Sequence, residues 1–146
     1  MKKLVMGAAA LAASLAASAA ALEHEVVINH AEGPIAADYK GTVTVETRQV
    51  GAAGVAGRPS TLACQWTARL DVERVAKVGE ALRSQRVLTR DKVASGTRAG
   101  WCETQTKAID RMVEARRDTM RSAMMALVEQ DREALLAEAD TATTRG

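Results

Sequence analysis

Two short stretches carry the residues best able to do chemistry: TLACQWTARL, with Cys64 two residues before Trp66, and AGWCETQ, with Trp101 directly before Cys102. A thiol pair either turns over in redox chemistry or closes a bridge. Reactive pairs lie close together as C-x-x-C at a helix start. These two cysteines are roughly 38 residues apart, and the chain-entropy model assigns a loop of that length about 4 kcal/mol. The spacing therefore predicts a structural disulfide between Cys64 and Cys102, with a bond between two chains as the competing arrangement.

Metal chemistry has weaker candidates. His24 and His30 are the two histidines. If the chain is cut after Ala21, it begins Leu22-Glu23-His24. A free amine, two deprotonated amide nitrogens and the third-residue imidazole then suit the square-planar geometry that Cu(II) and Ni(II) prefer. That copper or nickel reading is the alternative to a contact function. Met112, Met120, Met124 and Met125 admit a thioether copper site, but the first three fall on one apolar helical stripe, where core filling explains them. No cofactor is expected.

Catalytic patterns are absent. A serine or cysteine nucleophile needs a base within reach, commonly histidine, and both histidines lie near the amino terminus. The glycine-spaced GAAGVAGRPS lacks the lysine and serine ending of a phosphate-binding loop. The expectation is a protein that is not an enzyme.

The leader MKKLVMGAAALAASLAASAAA puts Lys2 and Lys3 ahead of an apolar, alanine-rich run ending in small residues. That is the layout of a cleaved signal peptide, here residues 1–21, rather than of a retained membrane anchor. The expected location is periplasmic or secreted, with no transmembrane segment after cleavage. The chain has 20 Lys and Arg against 18 Asp and Glu. The leader holds two of the bases and none of the acids, so the remaining chain is balanced. Together with only two tryptophans and one tyrosine, that balance leaves nucleic acid without an electrostatic or stacking basis for binding.

These sites need elements to position them. Residues 22–146 suit a single small domain. Val26, Val27 and Ile28 read as a short strand ended by Gly33-Pro34. Tyr39, Val43 and Val45 alternate with polar residues as a second strand. The clearest alternation runs Leu62, Cys64, Trp66, Ala68, Leu70 and Val72 on one face. A fourth strand is expected near residues 83–90. Residues 101–140 contain no glycine or proline, and Cys102, Ile109, Met112, Val113, Met120, Ala123, Met124 and Leu127 gather on one side at helical spacing. One helix follows, about 57 Å long from about Glu103 to Asp140. The predicted class is α+β: a small antiparallel sheet of three or four strands with one long C-terminal helix. Such a helix outruns a small sheet, so Leu127, Leu135 and Leu136 are expected to want an unknown protein partner or a second copy of the chain. Its early half is mildly basic and its late half acidic, which favours antiparallel self-association. The expected function is an exported protein working through protein contacts or self-association.

Overall fold

The computed structural model describes residues 22–79 and 82–144; the proposed leader lies outside them. Four strands, β1 (Leu22–Ile28), β2 (Ile35–Val50), β3 (Ala63–Val78) and β4 (Leu82–Ala99), form one antiparallel meander in that order. Two helices follow, α1 (Cys102–Ala115) and α2 (Arg117–Thr144). The chain is α+β, with a four-stranded antiparallel sheet and a long last helix.

The alternation in β3 decides which face is covered. Cys64, Trp66, Ala68, Leu70 and Val72 all point to the helices and are buried, while Gln65, Thr67, Arg69, Asp71 and Glu73 line the other face. Ile35, Ala37 and Tyr39 of β2 and Ile28 of β1 join the same core. Ile109 of α1 and Met120, Met124, Leu127 and Leu135 of α2 close it from above. The apolar stripe thus runs across both helices. Between Ala68 and Leu70 of β3 the register against β4 shifts, and an irregularity of that kind bends a sheet and increases its twist.

The strands are longer than the alternation alone indicated. At about 3.4 Å per residue, β3 and β4 span roughly 55–60 Å, so the sheet can cover the whole of α2. Burial continues along that helix to Ala139, with the last turn largely exposed. This corrects the expectation for the leucines: Leu127 and Leu135 are 6% and 1% exposed, and Leu136 packs partly buried against the same core.

The single expected helix is also divided. Arg116 leaves helical geometry, at φ −99° and ψ 22°, and its N–H donates to the Val113 carbonyl in a tightened turn. No proline or glycine stands there. The Arg116 guanidinium lies 5.4 Å over the Trp66 ring and donates to the Ser95 carbonyl. The break lets α1 and α2 follow a twisted sheet that one straight helix would leave.

Trp66 itself is seated on Gly96, its neighbour across the β3–β4 ladder. A Cβ at residue 96 would stand 2.7–2.9 Å from the indole. Gly96→Ala is expected to cost about 1–3 kcal/mol through that overlap. Urea unfolding measures the loss, and the emission of the buried Trp66 should shift with it.

Candidate functional site

The densest chemistry among the described residues lies under α2, where Arg74 interrupts the apolar face of β3. Its side chain is fully buried, as is that of Asp131 on α2. One guanidinium nitrogen, Nη1, donates to both Asp131 oxygens at 2.8 and 3.0 Å. The other, Nη2, donates to Glu138 at 2.9 Å and to the Ser84 hydroxyl at 2.8 Å. Ser84 in turn donates to Glu138 at 2.7 Å. Arg86, opposite Arg74 on β4, reaches Asp131 at 3.4 Å from a half-exposed position.

Two guanidinium groups therefore meet two carboxylates, and the charges balance. Asp131 and Glu138 are two helical turns apart on one face of α2, while Tyr39, Arg74, Ser84 and Arg86 come from three adjacent strands. The cluster fixes the position of α2 along the sheet. Within the cluster, Arg74 Nε is buried without a hydrogen-bond partner, as is Trp66 Nε1 elsewhere in the core. Both carboxylates are already held by the guanidinium groups, so the cluster works as a charged register pin between helix and sheet.

Tyr39 is the chain's one tyrosine, and its hydroxyl donates to Asp131 at 2.9 Å. Burial, followed by that bond to a carboxylate, raises the phenol's pKa well above its ordinary value. A raised pKa on an acid keeps the neutral form in the fold. Stability tied to Tyr39 is therefore full below about pH 10 and falls above it by about 1.4 kcal/mol per pH unit until the folded group ionises. Near-ultraviolet titration should find no phenolate until well above the ordinary tyrosine midpoint, or until the chain unfolds. Tyr39→Phe should cost about 1–3 kcal/mol at neutral pH, because it leaves a buried carboxylate one donor short.

A second group of contacts surrounds the cysteines. Cys64 and Cys102 are joined, with their Cα atoms 4.9 Å apart. Beside the bridge, Gln49 Nε2 donates to the carbonyls of Ala63 and Gly100, each at 3.0 Å, and its Oε1 accepts from the Cys102 N–H at 2.7 Å. That bond satisfies one of the unpaired amides at the start of α1, where Trp101 supplies no side-chain cap. Trp66, two residues after Cys64 on the same face, is buried, whereas Trp101 is 53% exposed.

The histidines are placed apart. His30 Nδ1 accepts from the Glu32 N–H, and Nε2 lies 2.7 Å from Asp140, so both ring nitrogens are engaged. His24 stands in β1 opposite Tyr39. Successive amides of a strand point to opposite edges, so a Leu22-Glu23-His24 chelate must take one nitrogen from the β1–β2 ladder. Leu22, at the head of that chelate, is buried in the core. No group of three or more His, Cys, Asp or Glu side chains suited to a metal ion occurs among the described residues. Of the methionines, Met120 and Met124 are core and Met125 is 40% exposed.

The remaining feature is an edge. β1 pairs only with the first part of β2, ending at Leu22 opposite Gly41. From Thr42 to Val50, β2 has β3 on one side and no strand on the other among the described residues. Thr44, Glu46, Thr47 and Arg48 are exposed there. Against this edge lies a cleft of about 170 Å³ with Val43, Val45, Val113 and Met120 in its wall and Glu114 and Arg117 at its rim. Glu114 and Arg117 pair at 3.2 Å. Nothing in the leucines marked this place; it follows from β2 running on to Val50, past Gly41, where its pairing with the described residues of β1 ends. No described helix is long and apolar enough to cross a membrane.

No protein-family model matches the chain, and no curated protein or solved structure matches it either.

Proposed function

We propose that this chain is an exported, non-enzymatic protein of the periplasm or extracellular space that acts through protein contacts, with residues 1–21 directing export and then removed. One observation carries the contact reading: a β2 edge that no described strand pairs from Thr42 to Val50, beside an apolar cleft. An open run of backbone donors and acceptors is a template for pairing with another strand, and a neighbouring cleft offers side-chain pockets to whatever pairs. The Cys64–Cys102 bond is compatible with an oxidising compartment, where such bonds persist.

The test is a photo-crosslinking residue placed at Thr44 in cells exporting the protein, with the same residue at exposed Glu133 on α2 as the control. A discrete adduct at Thr44 and none at Glu133 supports the reading. Equal labelling at both positions, or none at either, removes it. Intact mass of the exported chain should show a start near Leu22 and two hydrogens fewer than the dithiol form.

A further inference from the structure

We propose that the occupant of the open β2 edge is the β2 edge of a second copy, paired antiparallel about a two-fold axis through Thr47. This rests on the contact reading above and on its premise that the exported chain starts near Leu22.

The register follows from elimination. Residues of β2 with odd numbers face the helices and those with even numbers face away. Residues directly opposite in an antiparallel pair share a face, so a joined sheet with both sets of helices on one side must centre the axis on a residue of β2. Centring on Glu46 opposes Glu46 to itself, and centring on Arg48 opposes Arg48 to itself; like charges directly opposite are destabilising. Centring on Val45 runs the partner's Val50 against Lys40, whose edge β1 already occupies through Glu23. Centring on Gln49 leaves almost no overlap.

Centring on Thr47 sets Glu46 of each copy opposite Arg48 of the other, twice per interface. Neither residue has an ion pair within its own chain among the described residues, so both charges are available. The pairing then runs from Thr44 to Val50. It stops where Gly51, at φ 81°, turns the partner's chain away, opposite Val43 and just short of the place where β1 begins. The stretch of β2 that no described strand pairs thus matches the segment that fills it. Such an interface is closed and uses the same patch on both copies.

Sedimentation equilibrium of the exported, oxidised chain tests this with charge reversals at two exposed positions. The unaltered chain should be dimeric. Glu46→Arg and Arg48→Glu should each weaken the dimer by about tenfold or more, since each replaces two attractive pairs by two repulsive ones. The combined Glu46→Arg/Arg48→Glu chain should recover affinity to within about threefold, because the pairing is restored with its signs exchanged. Unchanged urea midpoints in all three variants, measured at a protein concentration where every chain is monomeric, exclude misfolding as the cause. A monomeric unaltered chain, a dimer indifferent to either single reversal, or a double reversal as weak as the singles overturns self-pairing. The Thr44 crosslink separates the two failures. An adduct to a different protein beside a monomeric chain keeps the contact function and ends self-pairing, whereas no adduct and a monomer end both.

Discussion

Arg74→Ala should destabilise the domain by about 3–5 kcal/mol, the loss expected when one partner of a buried ion pair is removed and the other is stranded. Asp131 is fully buried and takes two bonds from Arg74, while its remaining donors are Tyr39 and a long contact from half-exposed Arg86. Glu138 suffers less, because it is 38% exposed and can turn to water. For a domain of ordinary stability, about 5–15 kcal/mol, the change is a large fraction of the whole. A fall in the urea midpoint at constant slope is the measurement.

The companion chain Tyr39→Phe/Arg74→Met/Asp131→Leu separates two roles. It removes the cluster together with the groups it would strand, and such replacements are often neutral or stabilising by about 1–4 kcal/mol. If the cluster pins α2 in register, this variant should keep the stability of the unaltered chain but show faster amide exchange along α2. A single Arg74→Ala that costs less than about 1 kcal/mol would mean that Asp131 finds water, contrary to its burial.

The cluster also shows where the sequence is hard to read. β3 was legible as a strand because Cys64 to Val72 alternates without error. Carried two residues further, the same parity places Arg74 on the apolar face, which was the available sign of a buried charge. On α2 the matching sign was Asp131 and Glu138, seven residues apart and interleaved with Leu127 and Leu135. Neither sign identifies its partner, since 18 acids and 20 bases offer many combinations and only the register of helix on sheet selects one. The helix break was hidden for a related reason: it comes from Arg116 meeting Trp66 across the fold, not from a local breaker. Strand length was hidden too. Outer-face residues such as Thr42, Thr44, Glu46 and Arg48 are polar whether a strand continues or stops, so how far β2 runs past its pairing with β1 was not legible in them. The disulfide was legible because its evidence was local to each half: inward parity for Cys64, and the first turn of an apolar stripe for Cys102.

That bond gives the second large effect. Loss of the bridge in Cys64→Ala/Cys102→Ala should cost about 4 kcal/mol by the entropy of a loop of this length, and less if the β3–β4 hairpin persists in the denatured chain. Ala63 already pairs with Ala99, and Cys64 with Arg98, so the sheet holds one end of the loop without help. What the sheet does not hold is α1. That helix has 14 residues, of which Ile109 alone is fully buried, and helices of this length are marginal by themselves in water. Without the bridge its first turn keeps the Gln49 contact to the Cys102 N–H and the bonds of Gln105, which accepts from Arg98 Nε and donates to the Ala99 carbonyl. Amide exchange should therefore rise first through the opening turns of α1, while α2, tied to three strands through Asp131 and Glu138, stays protected. Adding Gln49→Ala to the cysteine pair should extend the loosening to the whole of α1. If α2 opens in step with α1, the two helices are one cooperative unit and the bridge stabilises the entire layer rather than the helix start.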